Sequence, residues 1–149
     1  MHNYEVNLSW LENRKGTISS PALTQSIEIA TPPEFPKGIE GIWSPEHLFA
    51  AAINSCLMTT FLAVAENSKL DFVSFDSNAV AKLDKVDGKF MMTEVLLRPK
   101  LVIKNPEHQE KAKRVLEMSE KACLISNSVK SAVILEPTIV VQEEEAVVI

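Results

Sequence analysis

The sequence predicts an α+β fold, because segments with strand-like alternation surround one long apolar helix. Residues 4–10 alternate between apolar and polar side chains, residues 45–67 form an apolar run with a helix start signal, and residues 73–103 contain two alternating stretches joined by an Asp-Gly turn. The chain has 149 residues, of which 46% are hydrophobic, as in an ordinary soluble domain. We therefore predict one domain over residues 1–149.

Three short strands are predicted before the helix. The first is expected to be half-buried, and its apolar positions are Tyr4, Val6, Leu8 and Trp10. The second covers residues 16–19, and the third contains Ile27 and Ile29. Residues 31–41 hold three prolines and two glycines, which interrupt regular structure, so we expect a loop there.

The central helix has a strong start signal. Ser44 can cap it, Pro45 suits the first helical position, and Glu46 complements the positive end of the helix dipole. We predict that it runs to about Asn67. Its residues 48–65 carry no formal charge and are numerous enough to span a bilayer, but they include Asn, Ser and Thr and lack flanking basic residues. We interpret them as a helix buried inside a protein and expect no membrane partner.

The C-terminal half begins with a predicted hairpin. Residues 73–83 and 89–103 alternate on either side of a turn at residues 84–88, and the second strand is expected to be interrupted near Pro99.

A second helix is predicted from Asn105, where the cap, proline and acid signature recurs, to about Ala122. Residues 123–130 are predicted to form a short third helix. Residues 132–141 are predicted to form a last strand, with Pro137 at a bulge or an edge. The predicted order is βββ-α-ββ-α-α-β.

Charge and composition restrict the function. The net charge is −5, with no cluster of Lys or Arg, which argues against nucleic acid as a partner. The acidic tail at residues 143–145 is expected to be solvated.

No basic segment followed by an apolar run is found at the N-terminus, so we expect no secretory signal and predict a cytoplasmic location. In a reducing compartment, a catalytic or redox-sensing pair of cysteines is more plausible than a structural disulfide.

Metal and nucleotide chemistry have no support in the sequence. No glycine-rich phosphate loop, Cys-x-x-Cys or helical His pair occurs, and His2, His47 and His108 are scattered. We predict no metal and no cofactor.

The two cysteines differ in their surroundings. Cys56 lies inside the apolar helix, where a free cysteine is usually a small, inert hydrophobic residue. Cys123 lies between Lys121 and Ser126 at the predicted start of the third helix, where backbone amides favour a thiolate. These patterns alone leave both a structural and a reactive role open.

Two motifs contain these cysteines. Residues 44–52 read Ser-Pro-Glu-His-Leu-Phe-Ala-Ala-Ala and are followed by Cys56, ten residues after the glutamate. Residues 123–126 read Cys-Leu-Ile-Ser, and residues 83–87 read Leu-Asp-Lys-Val-Asp. They resemble the central-helix motif, the Cys-Pro-Val-Ser motif and the hairpin turn of the OsmC/Ohr family of osmotically inducible and organic hydroperoxide resistance proteins. The chain departs from the second motif at Leu124, where the family has proline.

The resemblance implies both a fold and an activity. The implied fold is OsmC-like, with a long central helix packed against strongly curved antiparallel sheets in an intertwined homodimer. The implied activity is a thiol peroxidase that reduces organic hydroperoxides, fatty-acid hydroperoxides among them, to alcohols. Dihydrolipoyl groups of lipoylated proteins would be the dithiol reductant. By matched position, Cys56 is the peroxidatic cysteine, Cys123 the resolving cysteine that forms an intramolecular disulfide with it, and Glu46 and Arg14 the conserved acid and arginine.

The chemistry of such a thiol requires a cation. Cys56 lies about three turns inside the helix, beyond the reach of the dipole, so Arg14 is expected to bind its thiolate while Glu46 holds the guanidinium in a bidentate pair. Because ten helical residues span about 15 Å, one arginine bridges Glu46 and Cys56 of the same chain only with difficulty. We therefore expect Arg14 and Glu46 to serve the cysteine of the partner subunit.

Two other functions fit the residues. A non-catalytic OsmC-like module would bind a small apolar ligand, with incidental cysteines, and would form no disulfide after mild oxidation. A thiol peroxide sensor would oxidise once and stop, whereas an enzyme turns over with a dithiol.

Overall fold

The structure, a computed structural model, describes residues 1–143. These residues form seven β-strands and two α-helices. They divide into two compact units, Met1–Phe49 and the chain from Ala50 onward, which are described separately below. The single domain over residues 1–149 stays a prediction. Of the predicted acidic tail, Glu143 is exposed, and residues 144 and 145 lie outside the described residues.

The first unit contains the three predicted N-terminal strands. Strands β1 (Asn7–Glu12), β2 (Lys15–Ser19) and β3 (Ile27–Ala30) form an antiparallel sheet in that order. Gly16 is required in β2, since a Cβ atom there would lie 2.8 Å from the carbonyl oxygen of Ser9. The loop predicted at residues 31–41 contains no helix or strand.

The alternation of β1 predicted a half-buried strand, and this prediction is wrong. All six of its residues are exposed, and the side chains of Leu8 and Trp10 retain 68% and 75% of their accessible surface. Alternation identifies the apolar face of a strand but not the surface that covers it. This face of β1 has no cover among the described residues.

Helix α1 (Pro45–Asn67) has the predicted bounds. The Ser44 hydroxyl accepts a hydrogen bond from the His47 N–H at 3.2 Å, which satisfies one of the first amides of the helix. Within the second unit, one stripe of the helix is buried. It consists of Ile53, Cys56, Leu57, Phe61 and Ala65.

The length and composition of α1 would also allow it to cross a membrane. Among residues 1–143 it is the one helix that is long and apolar enough to do so. Its most apolar stretch of 18 residues has a mean hydropathy of 1.9, and 22% of that stretch is buried. A core helix of a soluble protein meets the same test. We predicted that residues 48–65 are a helix buried inside a protein. For the face of α1 that is exposed in this structure, this stays a prediction.

The predicted hairpin supplies two of the four strands of the second sheet, and among the described residues only its second strand pairs with further strands. Strands β4 (Ser74–Val86) and β5 (Lys89–Ile103) are antiparallel, and the turn residues Asp87 and Gly88 have φ of 51° and 78°. Positive φ at both positions matches the right-handed twist of a two-residue hairpin.

The expected interruption at Pro99 is wrong, because β5 is continuous through it. Strands β6 (Ala132–Leu135) and β7 (Thr138–Val141) pair in parallel with β5, one on each side of this point. Pro99 therefore lies opposite the gap between β6 and β7, where its missing N–H interrupts no ladder. The last predicted strand is divided at Pro137, and the second sheet is mixed rather than wholly antiparallel.

Helix α2 (Gln109–Ala122) follows a 3₁₀ turn at Pro106–His108. The Asn105 side chain accepts a hydrogen bond from the Glu107 N–H at 2.9 Å, so Asn105 caps the start of this helical segment as predicted, at the 3₁₀ turn, while α2 itself has no side-chain cap. The third helix predicted over residues 123–130 is wrong. The chain becomes extended at Cys123, with φ −66° and ψ 111°, and only a 3₁₀ turn at Ser126–Ser128 follows.

The hydrophobic core of the second unit lies where α1 and α2 pack with the sheet. The ring of Phe61 stacks on Phe75 with centroids 4.7 Å apart and meets the edge of Phe72 at 5.1 Å. Buried residues from both helices, from the segment after α1 and from β5 surround it. They are Ala65, Leu70, Leu101, Ile103, Ala112, Val115 and Leu116.

Truncation of Phe61 tests this core. Phe61→Ala is expected to lower the free energy of unfolding by about 3–5 kcal/mol, because it opens a cavity among fully buried side chains. The control is Met118→Ala on α2, whose side chain is 53% exposed. The control is expected to change the free energy by about 0.5 kcal/mol or less in the same chemical denaturation experiment. Equal losses in the two variants would contradict this description of the core.

Candidate active site

The second unit brings Cys56 and Cys123 together. Cys56 projects from the buried stripe of α1, and Cys123 is the residue at which α2 ends. Each thiol perturbs the pKa of the other, so the two side chains are neighbours, and both thiols are free. Cys56 is 8% exposed and Cys123 is fully buried. The fold therefore places two reduced, buried thiols next to each other, and Cys56 keeps the larger accessible surface.

Several hydrogen bonds favour a thiolate at Cys56. Burial raises the pKa of this thiol, but hydrogen bonds from Cys123, from the Ile125 N–H, from Thr60 and from the Leu124 N–H hold the pKa below its usual value. The Thr60 hydroxyl lies 3.8 Å from Cys56 Sγ, one helical turn further along α1. A lower pKa gives a larger fraction of the nucleophilic form at neutral pH.

Cys123 is shifted in the opposite direction. Burial raises its pKa, and the neighbouring Cys56 raises it further, while the polar groups of Ser126 oppose the change without offsetting it. The expectation that backbone amides favour a thiolate at Cys123 is therefore wrong. Cys123 lies at the end of α2 rather than at the start of a helix. The amides of the turn that follows it donate to Cys56 instead.

Glu46 lies in the first turn of α1, in the first unit. A hydrogen bond of 2.8 Å from the Ala30 N–H to the Trp43 carbonyl joins the end of β3 to the residues before the helix. The Glu46 side chain is partly buried, and its Oε2 atom is buried without a hydrogen-bond partner among the described residues. A buried carboxylate oxygen without a donor is costly, so this position suits a cation.

Arg14 lies in the turn between β1 and β2 and is exposed. The turn is stabilised by a hydrogen bond of 3.2 Å from the Thr31 N–H to the Arg14 carbonyl. The arginine borders a cavity of about 410 Å³ in the first unit, whose lining includes Trp10 and Ile29. Within residues 1–143, the ion pairs involve Lys15 and Arg98, so the expected bidentate pair between Arg14 and Glu46 does not form inside one chain.

Two of the three histidines lie at the starts of helical segments. His47 Nδ1 lies 2.7 Å from the Ser44 hydroxyl, and His108 Nε2 lies 3.4 Å from the amide nitrogen of Asn105. Residues 1–143 contain no group of three or more His, Cys, Asp or Glu side chains that could hold a metal ion.

Sequence reasoning missed two parts of the cysteine environment. Thr60 could have been found, because it follows Cys56 by four residues and such pairs are neighbours on a helix surface. The N–H groups of Leu124 and Ile125 could not, since a backbone amide has no signature in residue type.

The opposite pKa shifts predict an order of reactivity. In Cys123→Ser, Cys56 is expected to be alkylated by iodoacetamide with a pH midpoint below that of Cys123 in Cys56→Ser, because the donors around Cys56 stabilise its thiolate. The midpoint of each pH profile is compared rather than the absolute rate, since Cys123 is also less accessible. A lower midpoint for Cys123 would contradict the assignment.

Comparisons with known proteins identify the family of the chain. The model of the OsmC-like protein family matches residues 38–138. An OsmC-like protein of unknown function from Vibrio cholerae has 26% identity and a TM-score of 0.83, over 92% of this chain and 99% of that chain.

Two further solved structures share the fold at lower identity. An organic hydroperoxide resistance protein OsmC from Legionella pneumophila has 19% identity and a TM-score of 0.71, covering 95% of this chain and 98% of that one. The organic hydroperoxide resistance protein OhrB of Bacillus subtilis has 20% identity and a TM-score of 0.69, covering 93% and 98%. No curated protein matches the sequence. Because the family model covers more than half of the chain and the fold agrees, the chain belongs to the OsmC-like protein family.

Proposed function

We propose that this protein is a thiol peroxidase that reduces organic hydroperoxides to alcohols. The observation that carries the proposal is that two free thiols are neighbours with opposite pKa shifts, lowered at Cys56 and raised at Cys123. A nucleophile needs a thiolate, whereas a resolving thiol must remain available until the first sulfur is oxidised. The hydroperoxide resistance named for the Legionella and Bacillus proteins of the same fold supports the substrate class.

The proposed reaction has three steps. The Cys56 thiolate attacks the terminal oxygen of the hydroperoxide, an S–O bond forms, the O–O bond breaks, and the alkoxide takes a proton to leave as the alcohol. Cys56 is thereby oxidised to a sulfenic acid. Cys123 sulfur then attacks Cys56 sulfur, and the hydroxyl group leaves as water with the proton of Cys123. A dithiol reduces the resulting disulfide by exchange and is itself oxidised to a disulfide.

Arg14 and Glu46 are proposed to complete the site from the partner subunit. A guanidinium beside the sulfur would stabilise the thiolate and the negative charge that develops on the leaving oxygen. The buried, unpartnered Oε2 of Glu46 supports this role, since a carboxylate so placed can hold a guanidinium. The exposed position of Arg14, without an ion pair among the described residues, fits an arginine that is held only in the assembly.

The proposed assembly is a homodimer. The apolar face of β1 is uncovered, and α1 also exposes large apolar side chains, with Met58 40% and Leu62 42% exposed. Monomeric soluble proteins seldom leave such surfaces uncovered. The cytoplasmic location and the dihydrolipoyl reductant are proposed from the family resemblance.

The activity is tested by dithiol-dependent consumption of cumene hydroperoxide, with hydrogen peroxide in parallel. The wild type is expected to turn over the organic peroxide faster, and Cys56→Ser is expected to lose at least about 100-fold, because the nucleophile is removed. Cys123→Ser is expected to react once and then stop. Wild-type turnover no greater than that of Cys56→Ser would favour a binding module, and a single oxidation without turnover would favour a sensor.

The role of the arginine is tested in the same assay with a matched control. Arg14→Gln is expected to lower the rate by about 100-fold, because one donor to the developing charge is lost. Arg114→Gln removes an exposed arginine from α2 and is expected to leave the rate unchanged.

A site shared between subunits is tested by co-folding Arg14→Gln with Cys56→Ser. If the arginine acts across a two-fold dimer, one site of each mixed dimer is intact, and about a quarter of the wild-type activity returns. Failure of the mixture to regain activity, with dimers verified by sedimentation, would place both residues in one subunit.

A further inference from the structure

A cavity in the second unit is lined by residues that have no part in the proposed peroxidase. Its volume is about 470 Å³, which is within the range of binding sites for small molecules. Three segments surround it, namely the link between α1 and β4, the residues after β5, and the 3₁₀ turn before α2. The lining combines one carboxylate, one ammonium group, two polar side chains and two apolar ones. These residues are Asp71, Phe72, Val73, Lys104, Asn105 and His108.

Two opposite charges border this cavity without pairing. Asp71 and Lys104 both line it, but the ion pairs within residues 1–143 involve Lys15 and Arg98. Both side chains are exposed, so a ligand can reach them without breaking an ion pair inside the protein. A small molecule that carries charges of both signs can therefore pair with both.

The polar side chains beside Lys104 supply donors. Asn105 Oδ1 accepts a hydrogen bond from the Glu107 N–H at 2.9 Å, which fixes the orientation of the amide. The amide nitrogen lies 3.4 Å from His108 Nε2, so this ring atom is the acceptor and the neutral ring carries its proton at Nδ1. Lys104, Asn105 and His108 thus contribute N–H groups to the lining, which suit a carboxylate. Asp71 contributes a carboxylate, which suits an ammonium group.

The apolar part of the lining is held in place by the core. The Phe72 ring meets that of Phe61 edge-on with centroids 5.1 Å apart, and the Val73 N–H donates to the Val102 carbonyl at 2.7 Å. Val73 nevertheless keeps 43% of its accessible surface, so an apolar group of a ligand can cover it. A wall that is already ordered loses little conformational entropy when a ligand binds.

We propose that this cavity binds a free amino acid with an apolar side chain. The carboxylate of the ligand lies beside Lys104, its ammonium group beside Asp71, and its side chain against Phe72 and Val73. Recognition requires both charges, because a ligand with one charge would bring the other charged group of the site out of water without a partner. The site is separate from the proposed peroxidase, since none of the residues assigned to that reaction borders the cavity.

The test measures the binding of L-phenylalanine and L-leucine to the wild-type protein by isothermal titration calorimetry. Saturable binding at one site per chain is expected for at least one of them. N-acetyl-L-phenylalanine lacks the positive charge, and L-phenylalanine amide lacks the negative charge. Each is expected to bind about ten-fold more weakly than L-phenylalanine, as loss of one hydrogen bond between charged groups implies.

Substitutions of the two charged residues locate the site. Asp71→Asn and Lys104→Gln are each expected to weaken the binding of L-phenylalanine about ten-fold. Asp71→Asn is also expected to remove the difference between L-phenylalanine and its N-acetyl form, since the lost carboxylate is the group that distinguishes them. The controls Asp76→Asn on β4 and Lys100→Gln on β5 remove the same charges from exposed positions outside the cavity. They are expected to leave binding unchanged.

All four variants change exposed side chains, and circular dichroism verifies that each is folded. Absence of saturable binding of both amino acids would overturn the proposal, and so would equal affinities of the Asp71 and Lys104 variants and their controls. The titrations contain neither peroxide nor reductant. A protein that bound the amino acid without peroxidase turnover would keep this site and lose the proposed function, and turnover without binding would do the opposite.

Discussion

The interaction between the neighbouring thiols of Cys56 and Cys123, each of which shifts the pKa of the other, is the one on which the proposed chemistry depends. It requires that the buried stripe of α1 and the end of α2 meet, and the core around Phe61 holds the two helices and the sheet in that relation. Close packing allows little adjustment in such a core, so the separation of the two sulfurs is set by residues that never touch them. The aromatic cluster therefore contributes to the site by fixing the positions of the two helices that carry the cysteines.

The difference between the two thiols follows from where each helix puts its residue. Cys56 lies in the middle of α1, where the backbone amides of its own helix are already bonded and the dipole is remote. Its stabilising donors must come from elsewhere, and they come from Thr60 and from the turn after α2. Cys123 is fully buried next to the group that ionises first, so its own ionisation is opposed. The donors around Cys56 thus lower the pKa of the proposed nucleophile, while burial beside it raises the pKa of the proposed resolving thiol.

The first unit leaves an apolar surface uncovered and charged groups unpaired. Strand β1 is exposed along its whole length, Glu46 Oε2 has no donor among the described residues, and Arg14 makes no ion pair there. An uncovered apolar strand face and an unmatched buried carboxylate oxygen are both unfavourable in an isolated chain. A partner that covered the strand and supplied a cation to the glutamate would remove both costs, which is why we propose a second copy of the chain.

Much of the fold was predictable from the sequence because it depends on local signals. The Ser44, Pro45 and Glu46 start of α1, the Asn105 cap and the Asp-Gly hairpin turn each act within a few residues, and each was confirmed. The family motifs around Cys56 and Cys123 also indicated which residues to consider. The failures have a common cause. The continuity of β5 at Pro99, the exposure of β1 and the extended chain at Cys123 depend on which segment lies alongside, and a one-dimensional pattern does not specify neighbours. Residue patterns were sufficient to place most helices and strands and to identify the two cysteines as candidates. That Cys56 and Cys123 are neighbours follows from the packing of α1 with the end of α2, because contacts between distant segments depend on packing rather than on local residue type.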